Sequence, residues 1–228
     1  MLIAGFQKTS FVDYPGQPAS VVFTPYCNFD CVYCHNYQIL EKSTPLIDEE
    51  NIMDYLVKRQ GLIRAVVVSG GEPTLQQNLE AFLRQAKELS YLTKLDTNGT
   101  KPQVLLDLMQ KKLLDYVAMD IKAPLEKYGA ITRTEVDADA IRRSITVLRS
   151  GGVPHEFRMT FAPQLTPDDA VAGAMLVKGC EKFYLQQYRI RTSTDPAPHP
   201  PSVVRETAER IQAAIGVCML RGLGTDEA

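Results

Sequence analysis

The feature that most limits what this chain can fold into is an alternation of two patterns. Short β-branched runs are separated by longer stretches whose apolar residues recur every three or four positions. The runs are 19–24 (ASVVFT), 64–69 (RAVVVS), 92–96 (LTKLD), 115–121 (DYVAMDI), 155–161 (HEFRMTF), 182–186 (KFYLQ) and 217–220. They are short and largely apolar, as parallel strands covered on both faces are. Between them, 49–58, 77–88, 103–112, 138–149, 167–177 and 203–214 are predicted helices. Asp48 and Asp137 occupy N-cap positions, and Gly61, Gly151 and Gly216 stand where helices would stop. Such a series of β-α units implies right-handed crossovers and a parallel sheet, and both a doubly wound sheet and a barrel fit it. With six units in 228 residues the chain falls just short of the ~250 typical of a closed eight-stranded barrel. A barrel here would be partial and open on one side. One domain is expected over 1–228, its core at about 17–190 and its C-terminal helix and short strand at about 201–220.

In either arrangement ligands gather at the carboxyl ends of the strands. The first run is followed by Cys27, Cys31 and Cys34, and the second by Gly70-Gly71-Glu72-Pro73. The third ends on Asp96-Thr97-Asn98-Gly99 and the fourth on Asp120, with Lys122 beyond it. Taken singly, the glycine pair is a turn, the third segment an Asx turn, and Asp120 with Lys122 an exposed ion pair. Their repetition on neighbouring strands reads as a polar ring around a ligand. The net charge of −2 gives no support to nucleic-acid binding. A hydrophobic content of 45% with 23% charged residues argues against disorder, and no apolar run approaches the ~20 residues of a membrane span. The first residues lack a secretory signal pattern, so the expected location is cytoplasmic.

Three cysteines within eight residues, spaced C-x3-C-x2-C, make a poor disulfide framework in a reducing compartment. Three thiolates cannot close a tetrahedral zinc site, and His35, adjacent to Cys34, is badly placed as a fourth ligand. A cubane iron-sulfur cluster held by three cysteines leaves one iron open to a substrate or cofactor, which points to catalysis. A zinc knuckle and three unrelated thiols are the competing readings. Cys180 and Cys218 are isolated and read as structural.

The segment VVFTPYCNFDCVYCHN resembles the cluster-binding loop of the radical S-adenosylmethionine (radical SAM) superfamily, with Tyr33 as the aromatic residue of its signature. The resemblance implies a 4Fe-4S cluster on Cys27, Cys31 and Cys34, S-adenosylmethionine chelated by the open iron, and backbone near Tyr33 beside the adenine. SGGEP is similar to the family motif that contacts the cofactor's ammonium group, through Gly70, Gly71 and Glu72. LDTNG and MDIK resemble stretches of the glycyl-radical activating enzymes. There Asp96, Asn98, Asp120 and Lys122 would hold ribose and methionine carboxylate. Some members add a monovalent cation, for which Asp96, Thr97 and Asp120 would be ligands.

FQKTSFVDYPG, VSGGEPTLQ, DYVAMDIKAP and the FRMT and LQQY strands extend the likeness from residue 5 to about 190. They resemble the activating proteins of anaerobic ribonucleoside-triphosphate reductase. The resemblance implies a partial (β/α)6 barrel and an oxidoreductase that cleaves S-adenosylmethionine reductively and takes hydrogen from a glycine of that partner. A flavodoxin- or ferredoxin-type donor would supply the electron, and neither nucleic acid nor membrane is involved. One departure stands out. Related activating enzymes place a histidine after the tyrosine of the sixth strand, whereas this chain has Tyr188-Arg189, so Arg189 takes another role. Arg158 is expected to face the same cavity. Two other function classes fit the motifs: a radical enzyme acting on a small molecule, like the deazaguanine synthases, and a non-catalytic iron-sulfur or zinc protein. Arg221-Gly222-Leu223-Gly224 is expected to be a frayed tail.

Overall fold

A computed structural model describes residues 1–40 and 44–223. Eight strands, β1 (Gly5–Ser10), β2 (Ala19–Thr24), β3 (Ala65–Gly70), β4 (Leu92–Thr97), β5 (Tyr116–Asp120), β6 (His155–Phe161), β7 (Phe183–Gln187) and β8 (Met219–Arg221), follow one another across one open sheet in chain order. Helices α1 (Glu49–Lys58), α2 (Leu79–Glu88), α3 (Pro102–Gln110), α4 (Leu125–Thr132), α5 (Ala138–Ser150), α6 (Pro167–Met175) and α7 (Pro201–Ile215) supply the crossovers. The expected parallel α/β architecture is therefore present, with β1 and β8 at the two edges of the sheet. The sequence pattern carried no sign of β1. That strand runs antiparallel to β2 (Phe6 opposite Val22) and leaves its middle residues in solvent, so it lacks an apolar run.

The chain forms two compact units, Met1–Asn28 with Asn36–Ala118 and Arg143–Pro154, and Phe29–His35 with Met119–Arg142 and His155–Ala228. In the first unit, β2 and β3 pair in parallel from Ala19 opposite Ala65 to Thr24 opposite Gly70, and β3 continues onto β4 from Ala65 opposite Leu92. Side chains alternate across a strand, so Ala19, Val21, Ala65 and Val67 share one face and pack with Tyr14 and Tyr116 into a buried cluster that Phe23 and Leu92 flank. Two residues further along the same face, Val67 gives way to Ser69, and Leu92 to Lys94 and then Asp96. The apolar floor and the polar end of this face are thus written by one period-two pattern. Helix α1 starts where Asp48 accepts the Glu50 N–H at 3.1 Å, and it turns Ile52 and Leu56 inward.

In the second unit β6 pairs with β7, and β7 with β8, all in parallel. Phe157, Met159 and Phe161 of β6 are wholly buried, each worth about 1.5–3 kcal/mol over an exposed side chain. The alternate residues Glu156, Arg158 and Thr160 take the other face. Helix α6 opens with a reciprocal capping box between Thr166 and Asp169, and α7 buries Val204, Ile211 and Ile215 along one stripe. The chain at Arg221 is not a frayed tail. Arg221 is the last residue of β8, fixed by two bonds to the buried Glu156 (2.7 and 3.0 Å) and stacked 3.5 Å from the Tyr184 ring centroid. Gly224 lies outside the described residues. No helix among the described residues is long and apolar enough to cross a membrane.

Candidate functional site

Within the first unit, the carboxyl ends of β3 and β4 are joined by one buried carboxylate. Glu72 Oε1 accepts from Thr74 N (3.1 Å), Thr74 Oγ1 and Thr97 Oγ1 (2.8 Å), while Oε2 accepts from Asn98 N (2.7 Å). Burial pushes the Glu72 carboxyl above its ordinary range, and the donated bonds oppose that rise. The glycines before it are there for space. A Cβ on Gly71 would overlap the Tyr26 carbonyl oxygen and come within 2.6 Å of its carbon. Gly70 has φ +110°, a conformation that other residues rarely adopt. Asn36 Nδ2 donates to Gly70 O at 2.7 Å. Asp96 is held from two sides, by Lys94 Nζ at 2.8 Å and Ser69 Oγ at 3.0 Å. Asn98 Nδ2 donates to Asn28 Oδ1 at 2.9 Å and stands 3.8 Å from Cys27 Sγ.

Within the second unit, Asp120 lies between two cations, Lys122 Nζ at 3.0 Å and Arg158 Nε at 2.9 Å. Burial alone would raise its carboxyl, but the two cations outweigh that and hold it at about 2. Burial would likewise lower Lys122, yet Asp120 keeps the ammonium well above its ordinary value. Lys122 Nζ also stands 5.9 Å from the centroid of the Tyr33 ring, and its backbone N–H donates to Tyr128 Oη at 3.1 Å. The cysteine loop is tied to the end of α4, with Asp30 N donating to Thr132 O (2.9 Å) and Val32 N to Ile131 O (3.0 Å). Arg191 reaches the other side of the same loop and donates to Val32 O and Cys34 O, both at 3.1 Å. Its partner Asp195 also accepts from Tyr188 Oη, and these bonds hold the Asp195 carboxyl well below the usual range.

Cys27, Cys31 and Cys34 are partly exposed thiols. Among the described residues, no group of three or more His, Cys, Asp or Glu side chains is gathered to hold a single metal ion. A cubane makes a different demand, one thiolate to each of several irons. One further observation fits a cofactor: the Tyr33 hydroxyl, buried without a hydrogen-bond partner among the described residues.

The structure thus groups Gly70, Gly71, Glu72, Asp96 and Asn98 in one unit, and Tyr33, Asp120, Lys122 and Arg158 in the other. Arg189, expected to serve differently from the histidine that related enzymes carry there, is exposed beside Gly222. Asp96 and Asp120, expected as cation ligands, each face a side-chain cation already. Asn36, Lys94 and Arg191 were not singled out by sequence. Lys94, next but one to Asp96 on a strand, carried a signal in its spacing; the contacts of Asn36 and Arg191 arise only from the tertiary fold.

The sequence profile of the Radical SAM superfamily matches residues 21–174, and the chain belongs to that superfamily. Membership implies a 4Fe-4S cluster and S-adenosylmethionine. A Methanocaldococcus jannaschii protein provisionally named a glycyl-radical enzyme activating enzyme is 35% identical over 85% of this chain and 82% of its own length. The 7-carboxy-7-deazaguanine synthase of Thermococcus kodakarensis is 24% identical over 70% of each chain. The crystal structure of Streptococcus suis SuiB bound to S-adenosylmethionine shares the fold, with a TM-score of 0.70 and 14% identity over 86% of this chain. The present chain spans about half of that one, 48%.

Proposed function

We propose that this chain activates a glycyl-radical enzyme, and that its partner is an anaerobic ribonucleoside-triphosphate reductase. The carrying observation is the likeness to the M. jannaschii protein, closer and longer than that to the deazaguanine synthase (35% over 85% of the chain against 24% over 70%). The reductase as partner rests on the motif likeness at 5–190.

When bound, a reduced 4Fe-4S cluster and S-adenosylmethionine supply the chemistry, one-electron cleavage of the sulfonium and hydrogen abstraction from a glycine of the partner. A flavodoxin- or ferredoxin-type protein gives the electron. The chain's own residues bind and orient. Cys27, Cys31 and Cys34 ligate the cluster. Backbone carbonyls around Gly70 and Gly71 receive the ammonium, since the Glu72 carboxylate is spent on Thr74, Thr97 and Asn98. Asp96 and Asn98 take ribose hydroxyls. Lys122, kept charged by Asp120, and Arg158 take the methionine carboxylate. The Tyr33 hydroxyl gains the partner it lacks.

A second reading, action on a small molecule, is favoured by the coverage of the deazaguanine synthase. The test is reconstitution under nitrogen, reduction, and assay for 5′-deoxyadenosine with and without the reductase. Wild type makes it, Cys31→Ala does not, and a glycyl-radical signal appears on the reductase by electron paramagnetic resonance. Wild type making none refutes the radical chemistry, and Cys31→Ala making as much refutes Cys31 as a ligand of the cluster. 5′-Deoxyadenosine without the glycyl signal transfers the protein to the small-molecule reading, and zinc in place of iron to a structural one.

A further inference from the structure

We propose that Arg191 is a positioning residue for the cysteine loop, and that it sets with Asp195 the charge felt at the cluster; the inference rests on the reading of Cys31 and Cys34 as cluster ligands. A loop whose thiolates must meet irons at fixed positions needs its backbone fixed, and the destinations of its peptide groups say how that is done. On one side the N–H groups of Asp30 and Val32 are taken by carbonyls at the end of α4, and within the loop Cys34 N donates to Cys31 O at 3.0 Å. The outward carbonyls of Val32 and Cys34 are taken by a single guanidinium, Arg191 Nη2 and Nη1, at 3.1 Å each. They flank Tyr33, so one planar group spans the stretch between the second and third cysteines. Only arginine offers this fork.

The guanidinium is itself held. Asp195 accepts Arg191 Nε at 2.8 Å and Nη2 at 3.0 Å. It also accepts Arg191 N at 2.8 Å, Thr192 Oγ1 at 3.1 Å and the Tyr188 hydroxyl. The clamp is therefore an ion pair laid against the cluster loop with little net charge. Removing one member leaves the other uncompensated, and a cluster's reduction potential follows the net charge beside it. The two removals act with opposite sign.

The experiment compares Arg191→Gln, Asp195→Asn and Arg191→Lys in two states. In metal-free protein, iodoacetamide labelling of Cys34 is followed by mass spectrometry, with Cys218 of the same molecules as internal reference. Arg191→Gln speeds Cys34 several-fold over Cys218, and Arg191→Lys, a single-point donor, falls between. In reconstituted protein, redox titration followed by electron paramagnetic resonance shows the midpoint potential falling in Arg191→Gln, rising in Asp195→Asn and staying near wild type in Arg191→Lys. A general loss of structure would move both charge-removing variants the same way, and that result, or unchanged labelling of Cys34, overturns the proposal. Failure of the cluster reading shows separately, as full iron loading by Cys34→Ala.

Discussion

Alanine at Gly71 would place a methyl group against the peptide that leads into Cys27. Its Cβ would overlap the Tyr26 oxygen and sit 2.6 Å from the Tyr26 carbonyl carbon and 2.9 Å from Leu40 Cδ2. Carbon atoms settle at about 3.5–4.0 Å, so the backbone must retreat by about 1 Å. It cannot do so freely, because the same Tyr26 oxygen accepts the Glu72 N–H at 2.9 Å. Overpacking of this kind costs about 1–3 kcal/mol and the lost hydrogen bond about 1 more, so Gly71→Ala destabilises the metal-free protein by about 3 kcal/mol. The internal comparison is Gly129→Ala, the same chemical change on the exposed face of α4, where the nearest atom to the new Cβ is Thr134 O at 3.4 Å. That variant gains about 0.5–1 kcal/mol, as a helix does when glycine is replaced by alanine. Urea unfolding of both, with iron content after reconstitution, reads the outcome: Gly71→Ala is less stable and loads less iron, while Gly129→Ala loads normally. Gly71→Ala within about 0.5 kcal/mol of wild type refutes the argument from close approach.

Glu72→Ala strands four donors, from Thr74, Thr97 and Asn98, and loses about 3 kcal/mol in urea unfolding after relief from burying a carboxylate is counted; wild-type stability in this variant would contradict the hub. Asp120, held at about 2 against an unfolded 3.8, contributes about 2 kcal/mol that is fully present above pH 4 and is lost as the pH falls towards 2. Asp120→Asn is accordingly less stable than wild type at pH 6, and the gap closes near pH 2; a gap that persists there would refute the assignment. Asp96 and Asp120 already face Lys94, Lys122 and Arg158, so replacing sodium and potassium by tetramethylammonium leaves the 5′-deoxyadenosine yield unchanged. A yield that depends on potassium would instead place a cation at these carboxylates.

Where a strand is buried on both faces, its sequence announced it: 19–24 and 155–161 coincide residue for residue with β2 and β6, and β3 and β7 lie one residue downstream of the expected runs. The edge strand β1 was invisible because its middle residues face solvent. Helix α4 leaves no clear pattern either, being eight residues long and interrupted by Gly129, and ending on a left-handed Arg133. The first two residues of α7 are hidden in the sequence because Pro200 and Pro201 read as loop, although proline suits a helix's first turn. At the site, strand-end chemistry was legible because it follows from position along a strand. The burial of Glu72 among its own donors was not, since three residues, two of them from another strand end, supply them. Arg189 drew attention through its place beside Tyr188, while the side chain that reaches the cysteine loop is Arg191, two residues on.

The bond from Arg191 to Cys34 joins residues 157 apart in sequence. At a synthesis rate of about 5–20 residues per second, the cysteine loop exists for roughly 10–30 s before the arginine that steadies it has been made. For most of that interval the loop lacks both anchors, because the end of α4 at Ile131 and Thr132 also follows it in the chain, and for the remainder it lacks the arginine. With the cysteines as cluster ligands, as proposed, the loop reaches its finished geometry only after the segment following β7 has been translated, rather than on appearance of the cysteines.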